Sequence, residues 1–490
     1  VNEYSIFKKS VDARNKSDIF YNYTIDVKVK NEKKYPNIKK VDKEVYDINV
    51  QVKRKSNLRP VIIGAGPAGL FAGLVLVNNG VKPIIIEQGK RVEDRKKDVD
   101  DFINGGKLNV KSNIQFGEGG AGTFSDGKLT SGIHSIYCRN VLEEFVKFGA
   151  PEQIKYVNKP HIGTDNLVKI ISNIRNYILD NGGEFLFEEK VIDFDFEENR
   201  VKKIITDKRE IETDTVILAI GHSARDTFEV LYSKKLKMER KNFSVGVRIE
   251  HKQSMINEAQ YGNKSKLKLP VAEYKLAYHN KDTGRSCYTF CMCPGGYVVN
   301  ASSENEHLVV NGMSNFARDG INANSAVLVE IKPSDYYVNS PLDGLNFQRM
   351  IEKKCYNVGK DYGVPVQRYI DFKNNQITKE IGKITPTIKP RYIYANINDI
   401  LPKWINDSLK EAIEAFSLKI NGFNCDDAIL TIPETRSSSP IQIKRNEKYL
   451  ATKYIYPIGE GAGFSGGIMT SAIDGIKCAL KIIEEINRGE

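Results

Sequence analysis

The most regular pattern of apolar and polar positions lies between residues 61 and 87. Residues 61–63 (VII) form a short apolar run, which is typical of a buried strand, and residues 64–69 (GAGPAG) follow directly. A mostly apolar stretch then extends to Gly80 and predicts a helix, and residues 84–87 (IIIE) predict a second buried strand. This order of elements predicts a strand–turn–helix–strand unit of a parallel α/β sheet.

The glycines in this turn have separate mechanical roles in a dinucleotide site. Gly64 permits the sharp turn, Gly66 lets the backbone approach a pyrophosphate, and Gly69 lets the helix pack closely on the strand. Glu87, 23 positions after Gly64, ends the second strand, where its carboxylate can accept hydrogen bonds from ribose hydroxyls. We predict that these four residues contact the cofactor, together with Pro67, Ala68 and Gln88.

A second strand–glycine–helix pattern lies near the other end of the chain. Residues 454–457 predict a strand, residues 459–463 are GEGAG, and a helix is predicted to begin near residue 467. A mononucleotide needs only the first motif, whereas FAD, with its long second half, needs both. The N-terminal dipole of the late helix would stabilise an anionic reduced flavin. The predicted contacts here are Gly459, Glu460, Gly467, Ile468 and Met469.

A third glycine-rich segment, residues 115–129, contains a formal G-x-G-x-x-G at positions 117, 119 and 122. An NAD(P) site is one interpretation, but a loop (TFSDG) follows instead of an apolar helix, and no strand-terminal acid lies at the required distance. We favour a glycine loop that wraps around the pyrophosphate and ring of the flavin. The predicted contacts in it are Gly119, Gly120, Thr123 and Ser125.

The following pattern predicts that the chain returns to the same sheet. Helices are predicted at 98–104, 141–149 and 165–181, and strands at 184–196 and 201–205. The apolar strand 215–220 stops at Gly221, as expected of a buried parallel strand. We predict that Val191 and Gly221 also contact the cofactor.

Residues 241–425 contain no nucleotide-binding motif. Short strands predicted at 244–250, 297–300 and 307–310 alternate with loops and helices, and Trp404, the single tryptophan, is assigned a packing role. We interpret this segment as an inserted α+β cap domain that covers the flavin and shapes a substrate pocket.

The N-terminal residues predict a small folded appendage. Polar and apolar residues alternate strictly along 21–30 and again along 46–53, as in half-buried strands. The predicted domains are an α+β appendage (1–58), the first part of a doubly wound, mostly parallel, Rossmann-like FAD-binding domain (59–240), the cap (241–425) and the C-terminal part of the FAD-binding domain (426–490).

Composition and charge narrow the class of protein. Hydrophobic residues make up 40% of the chain, and the apolar stretch 61–77 is too short, and too interrupted by glycine, to span a bilayer. Seven dispersed cysteines favour a reducing cytoplasm over a disulfide framework. Six histidines without metal-ligand spacing predict no metal site.

The net charge of +11 is concentrated near the N-terminus, because residues 1–60 contain 15 Lys and Arg against 8 Asp and Glu. Such a patch could attract an anionic partner or nucleic acid. We favour a solvated lysine-rich face, since no RNA-binding motif or alternation of aromatic and basic residues accompanies it.

The chain resembles the bacterial family described as uncharacterised FAD-dependent dehydrogenases. The motifs that carry the resemblance are, in order, GAGPAG (64–69), FGEGGAGTFSDGKL (116–129), GHSARDTF (221–228), FCMCPGGYVV (290–299), PETRSSSP (433–440) and GEGAGFSGGIMTSAIDGI (459–476). The likeness covers nearly the whole chain, including KSVDAR at 9–14. It implies FAD and the fold also seen in glutathione reductase and, more distantly, geranylgeranyl reductases, but no substrate. Related flavoproteins usually have Asp where this chain has Glu460.

Four charged or titratable residues are candidates for chemistry beside the flavin. Arg436, within ETRSSS, could clamp a substrate carboxylate or phosphate. Lys128 and Arg248 are rival anion binders, or members of structural salt bridges. His222 is either a hydrogen-bonded loop residue or a proton donor.

Cys291 and Cys293 invite a redox-dithiol interpretation. Their C-x-C spacing differs from the C-x-x-C of thioredoxin-like enzymes, so we favour structural thiols. A flavin-facing or metal-binding role for these thiols stays open, so the predicted catalytic set is Arg436, Lys128, His222 and Cys293.

These patterns together predict a cytoplasmic FAD-dependent oxidoreductase that transfers hydride through flavin N5. The expected electron donor is NAD(P)H, bound transiently or not at all because no second dinucleotide-binding unit follows. The substrate is an unidentified small molecule, and the basic candidates allow it to be anionic. Two alternatives stay open. One is a flavin-dependent RNA-modifying enzyme whose basic appendage grips nucleic acid; the other is a non-catalytic flavin sensor or electron-transfer module that docks a protein partner through residues 1–58.

Overall fold

The computed structural model describes residues 3–30, 38–41, 48–50, 52, 59–198, 200–263, 267–451 and 454–488. The strands within these ranges are β1 (Glu3–Asp12), β2 (Phe20–Lys28), β3 (Val61–Ile63), β4 (Ile84–Glu87), β5 (Glu184–Phe187), β6 (Val191–Glu197), β7 (Arg200–Thr206), β8 (Glu210–Glu212), β9 (Val216–Leu218), β10 (Met238–Arg240), β11 (Phe243–Lys252), β12 (Ala277–Asn280), β13 (Arg285–Cys293), β14 (Tyr297–Asn300), β15 (Val310–Met313), β16 (Asn322–Ile331), β17 (Val364–Arg368), β18 (Tyr392–Tyr394), β19 (Ile429–Glu434), β20 (Ile441–Ile443) and β21 (Ile455–Pro457).

The helices are α1 (Pro67–Asn78), α2 (Val92–Ile103), α3 (Tyr137–Lys147), α4 (Thr164–Asp180), α5 (Arg225–Ser233), α6 (Gln253–Tyr261), α7 (Asp343–Gly359), α8 (Tyr369–Lys373), α9 (Ile397–Ile400), α10 (Lys403–Ser417) and α11 (Ile468–Arg488). In the described part of the chain, no helix is both long enough and apolar enough to cross a membrane.

The glycine-rich motifs belong to a five-stranded sheet in which every pairing is parallel, with the order β21-β9-β3-β4-β5. Alternate residues of its strands face two cores. Ile62, Ile85 and Ile217 pack against α1, α4 and α11, whereas Val61 and Val216 pack against the antiparallel sheet β6-β7-β8 and α5. The predicted parallel α/β sheet, including the return of the chain at 215–220, is confirmed.

A second sheet has seven strands in the order β12-β13-β16-β11-β19-β17-β18, and all its pairings are antiparallel except β17 with β18. Helices α6 to α10 enclose its core, which buries Ile249, Val327 and Phe416 completely. Trp404 is partly buried against the same core, and the Arg285 guanidinium stacks 4.2 Å from the centre of its ring.

Several predicted boundaries change in the structure. The strand predicted at 307–310 is β15, which begins only at Val310, and the run 184–196 divides into β5 and β6 around residues 188–190. The helix predicted at 98–104 begins earlier, as α2 at Val92. The domain boundary placed after residue 425 separates β19 from the seven-stranded sheet to which it belongs.

The N-terminal residues form an antiparallel hairpin of β1 and β2. It is joined to the rest of the molecule by backbone hydrogen bonds, including Lys9 N to Tyr156 O (2.7 Å) and Asn158 N to Lys9 O (2.9 Å). The second predicted strand, 46–53, lies largely outside the described residues. Its described residues 48–50 and 52 have no regular secondary structure, although Ile48 and Val50 pack against the core beside α1.

Candidate functional site

A cavity of 640 Å³ lies at the carboxyl ends of the parallel strands, within the size range of cofactor sites. The turns that follow β3, β4, β9 and β21 all contribute to its wall. The glycine loop after residue 115 and part of strand β13 complete it. The two glycine-rich motifs, almost 400 positions apart in sequence, therefore face one space, which is where open α/β sheets bind their ligands.

The first motif has the tight geometry that its glycines predict. Gly64 has a φ of +104°, and a Cβ there would lie 2.3 Å from Ala219 O. A Cβ on Gly69 would lie 2.0 Å from Gly64 O, so this glycine serves the packing of α1 on β3. A Cβ on Gly66 would meet only Gly120 Cα, at 3.8 Å, which leaves its backbone open to the cavity.

Glu87 holds two of the surrounding loops together. Its buried carboxylate accepts hydrogen bonds from the backbone N–H groups of Ala65, Gly89 and Gly117, each at 3.0 Å. A carboxylate has about four acceptor positions, so one is left for a ribose hydroxyl. The sequence indicated only the ribose contact, because the partner at Gly117 lies 30 positions away.

The fully buried Arg95 shapes the central glycine loop. Its guanidinium donates to the carbonyls of Asn113 (2.8 Å), Ile114 (2.9 Å), Gly117 (3.1 Å), Glu118 (2.7 Å) and Gly120 (3.0 Å). After Gly120 the chain makes only a single 3₁₀ turn, Ala121–Phe124, so the expected loop, and not a second dinucleotide helix, is present. Sequence reasoning missed Arg95, since it lies in a polar helix with no motif around it.

Four glycines on the cavity wall have no packing reason to be glycine, although Gly221 has a φ of +68° that favours glycine. A Cβ built on Gly132, Gly221, Gly466 or Gly467 would meet no protein atom within 4 Å. Side chains at these positions would instead project into open space. This is the arrangement expected where a flat ring or a phosphate chain approaches the backbone closely.

His222 and Glu460 pair across the cavity wall, through Nδ1 and Oε2. Their other polar atoms, Nε2 of His222 and Oε1 of Glu460, are buried and have no hydrogen-bond partner among the described residues. Because buried polar atoms are normally satisfied, these two indicate a missing polar ligand. The hydroxyls of a ribityl chain would satisfy both, so the residues present fit FAD.

Most of the predicted cofactor residues line this cavity. They are Gly64, Gly66, Pro67, Ala68, Glu87, Gln88, Gly120, Ser125, Val191, Gly221, Gly459, Glu460, Gly467 and Ile468. Gly69, Gly119, Thr123 and Met469 do not line it. A Cβ on Gly119 would lie 2.1 Å from Thr123 Oγ1, and Met469 is buried in the core, so these residues support the wall from behind.

Two of the four predicted catalytic residues line the cavity, Lys128 and His222. Lys128 Nζ donates to Met292 O and lies 3.5 Å from Glu273, so much of its charge is balanced. Beside Lys128, burial lowers the pKa of His161 and the charge of Arg318 lowers it further, so both effects favour the neutral imidazole.

Arg436 was predicted to clamp a substrate anion beside the flavin, and this prediction is wrong because Arg436 does not line the cavity. Its guanidinium is buried away from the cavity and donates to Glu352 (2.9 and 3.1 Å), Ser303 (2.6 Å) and Ser223 (3.2 Å). Cys293 is also absent from the wall; its thiol is fully buried, whereas Cys291, two residues earlier, faces the cavity. Arg248, the other anion candidate, is fully buried between Glu434, Asn311 and Asn324.

The seven-stranded sheet contributes a part of the wall that sequence reasoning did not identify. Strand β13 of this sheet supplies Thr289, Phe290, Cys291 and Met292. Beside them lie Tyr274, which precedes β12, Asn311 of the separate β14–β15 pair, and Ser437. The only signal in the sequence was the FCMCPGGYVV segment, which matches no motif with a known binding geometry. Among the described residues, no three His, Cys, Asp or Glu side chains lie together as a metal site would require.

Solved structures with a similar fold include several flavoproteins. A glycerol-3-phosphate dehydrogenase from Bacillus halodurans complexed with FAD is 11% identical, over 89% of this chain and 65% of that one, with a TM-score of 0.39. A geranylgeranyl bacteriochlorophyll reductase-like protein from Thermoplasma acidophilum is 12% identical over 88% and 79% of the two chains, with a TM-score of 0.38.

Sequence comparisons are more decisive. Residues 242–437 match the family "FAD-dependent protein, C-terminal domain-like", and residues 1–28 match a domain of unknown function. A segment of 53 residues is 40% identical to D-amino acid dehydrogenase of Helicobacter pylori, which covers 11% of this chain and 13% of that protein. An uncharacterised protein of Clostridium beijerinckii is 43% identical over 99% of this chain and 93% of its own length. With a relative this similar from end to end, the chain belongs to a bacterial family of uncharacterised FAD-dependent proteins.

Proposed function

We propose that the protein is an FAD-dependent oxidoreductase that transfers hydride through flavin N5, with NAD(P)H as electron donor. The observation that carries this proposal is the single 640 Å³ cavity shared by both glycine-rich motifs and one wall of the second sheet. A long dinucleotide would fill the part of the cavity beside the glycine-rich motifs, and a substrate would occupy the part beside the second sheet. Enzymes of this kind use the protein chiefly to place the cofactor's reactive atom against the substrate.

Each part of the wall has a role toward the cofactor. The turn at Gly64 and Gly66, with the N-terminus of α1, would hold the pyrophosphate, and Glu87 the adenosine ribose. His222 and Glu460 would bind the ribityl hydroxyls through their unpartnered atoms. The N-terminus of α11, at Gly467 and Ile468, would place its positive dipole end at the pyrimidine edge of the ring. FAD supplies the two-electron chemistry.

The remaining wall of the cavity is the proposed substrate side. It combines the apolar groups of Phe290 and Met292 with the hydroxyls of Thr289 and Tyr274 and the ammonium group of Lys128. Lys159 and Lys275 line this side as well, and of the three lysines two share the single carboxylate of Glu273, so the surplus positive charge suits a small anionic substrate. We propose that residues 241–425, extended to the end of β19, form the cap that carries this wall, and that 59–240 and the C-terminal residues form the FAD-binding domain.

The test is the colour and the reducibility of the purified protein. We expect a bound flavin spectrum, released as FAD on denaturation, and anaerobic bleaching on addition of NADH or NADPH. A protein that is colourless and does not gain FAD on reconstitution contradicts the cofactor assignment. Bound FAD that neither nicotinamide cofactor bleaches would contradict the assignment of the donor and leave the cofactor assignment standing.

A further inference from the structure

Strand β13 ends in a bulge that turns Cys291 toward the cavity. Its pairing with β16 runs regularly to Phe290 opposite Ala326, and resumes at Cys293 opposite Asn324, so that β13 has one extra residue. Cys291 has a φ of +43°, a conformation that costs an ordinary residue on the order of 1–3 kcal/mol. Bulges and strained residues of this kind are concentrated at active sites, where they redirect a side chain.

The bulge gives the two thiols different surroundings. Cys291 is partly exposed and lines the cavity, whereas Cys293 is fully buried behind it. The Cys293 thiol donates to the Cys291 carbonyl at 3.3 Å, and its Sγ lies 3.9 Å from Nη2 of Arg248. That same Nη2 donates to the Cys291 carbonyl at 2.5 Å, so one buried guanidinium adjoins both residues.

The charges around Cys291 favour its thiolate. The hydrogen bond from Cys293 lowers the pKa of Cys291, and the charges of Arg248 and Lys128 lower it further, against the opposing effects of burial and of Asp126. Besides Asp126, the acidic group near the two cysteines is that of Glu434 on β19, which pairs with Arg248. The pKa of Cys293 is raised by its hydrogen bond to Cys291 and by burial, so the pKa values of the two thiols are shifted in opposite directions.

The remaining cysteines lack this combination. None of the other five, Cys138, Cys287, Cys355, Cys425 and Cys478, lines the cavity, and burial raises the pKa of the last four. Since the thiolate is the reactive form of cysteine, Cys291 should react selectively with electrophiles that enter the cavity.

We propose that Cys291 and Cys293 form a dithiol that exchanges with a disulfide substrate bound in the cavity. Cys291 Sγ attacks one sulfur of the substrate, the substrate S–S bond breaks, and one thiolate leaves. Cys293 Sγ then attacks Cys291 Sγ, releasing the second substrate thiolate, and the Cys293 proton passes to a departing thiolate. The substrate is thereby reduced to one thiol and one thiolate, and a Cys291–Cys293 disulfide forms. Its reopening requires two electrons and a proton from reduced FAD, and in this respect the inference rests on the proposed function.

A single turnover with an aromatic disulfide tests the exchange without any nicotinamide cofactor. The protein, with its flavin oxidised, is reacted with 5,5′-dithiobis(2-nitrobenzoate) at pH 6.5. We expect a rapid phase that releases two thiolates per chain and leaves a Cys291–Cys293 disulfide, identified by peptide mass spectrometry. C293S should release one thiolate and retain a mixed disulfide at Cys291, C291S should lose the rapid phase, and the control C425S should behave like the wild type.

A rapid phase that survives in C291S, or a wild-type protein that never forms the Cys291–Cys293 disulfide, would overturn the proposal. Should C291S fail to fold, site-resolved alkylation of the wild type by iodoacetamide decides instead. At pH 6.5 we expect Cys291 to react at least tenfold faster than Cys425, and equal rates overturn the proposal. Because neither measurement uses NAD(P)H, failure here is distinct from failure of flavin reduction by NAD(P)H.

Discussion

At the scale of single residues, Gly467 is a position where an added side chain would enter the cavity without disturbing the packing of the protein. A Cβ added at this position would meet no protein atom within 4 Å, and the φ of Gly467 is not in the left-handed region. The series Gly467→Ala, Gly467→Val and Gly467→Leu should therefore weaken FAD binding progressively, by tenfold or more in Kd at Leu, because the side chain would occupy the proposed site of the ring. FAD titration by fluorescence measures this effect.

The control for this series is the thermal midpoint of the flavin-free variants. We expect it to stay within a few degrees of the wild type, since no protein contact is disturbed. Leu at this position with unchanged FAD affinity would show that the ring does not approach the N-terminus of α11.

His251 gives the seven-stranded sheet a pH dependence of known sign. Burial lowers the pKa of this fully buried imidazole to about 4, and Nε2 lies 2.7 Å from Phe423 O. The unfolded chain takes up a proton near pH 6.5, whereas the folded chain does so only near pH 4, so stability is lost as the pH falls between these values. From pH 7 to pH 5 the loss should be about 2 kcal/mol.

The measurement is urea unfolding of the wild type and of His251→Gln, which keeps a donor for the Phe423 carbonyl. The variant should show a shallower decrease in the free energy of unfolding between pH 7 and pH 5. Parallel pH profiles for the two proteins would mean that His251 is protonated in the folded state.

At the scale of elements, the contact of α1 with α11 depends on Gly475, to which the sequence analysis assigned no packing role. A Cβ on Gly475 would lie 2.1 Å from Ala68 O, so the two helices touch through backbone atoms. Gly475→Ala should force them apart and destabilise the protein by about 1–3 kcal/mol, as overpacking of a well-packed core does. FAD affinity should also fall, since Ala68 and Ile468 at the ends of these helices line the cavity.

Lys477→Ala, in the same helix, is the matched control, because Lys477 is only partly buried and its loss opens no core contact. Denaturant unfolding with and without FAD measures both effects. A Gly475→Ala variant as stable as the control would show that the helices can separate without cost.

The elements themselves were predictable to different degrees. The strand–turn–helix unit at 61–87 and the late strand and helix were predicted well, because each rests on a short run of apolar residues bounded by glycine. Strands of the inserted sheet were predicted poorly at their ends. Their register is set by neighbours such as β11 with β16, which lie some 80 residues apart, and no local signal marks where that pairing stops.

At the scale of the whole molecule, a buried ionic cluster joins the parallel sheet region to the seven-stranded sheet region. Glu352 on α7 receives hydrogen bonds from Arg225 on α5 (2.7 and 2.8 Å) and from Arg436 (2.9 and 3.1 Å). Burial alone would raise the pKa of Glu352, but the two guanidinium groups hold it well below its usual value. Arg436 also donates a hydrogen bond to Ser223, which lines the cavity.

Glu352→Gln should destabilise the protein by about 3–5 kcal/mol, because it leaves two buried guanidinium groups with only Glu304 to balance their charge. The control is Glu229→Gln, which removes the half-exposed partner of Arg349 and should cost under about 1 kcal/mol. Urea unfolding compares the two. Equal losses would mean that water reaches the cluster and screens it.

What the sequence determined by itself is the half of the site that depends on local backbone geometry. Sharp turns and close approaches require glycine at fixed positions, so Gly64, Gly66 and Gly459 could be assigned to a dinucleotide without knowing the rest of the fold. The prediction of FAD followed from two such motifs, and family membership confirms it.

Only the tertiary structure decided what each polar side chain faces. Arg436 was a reasonable anion clamp until folding placed Glu352, 84 positions away, against its guanidinium. Cys291 instead of Cys293 reached the cavity because of a one-residue bulge in the pairing of β13 with β16. Charge neutralisation and strand register both arise from contacts between residues that are distant in sequence. Neither can therefore be inferred from the pattern of residues along the chain.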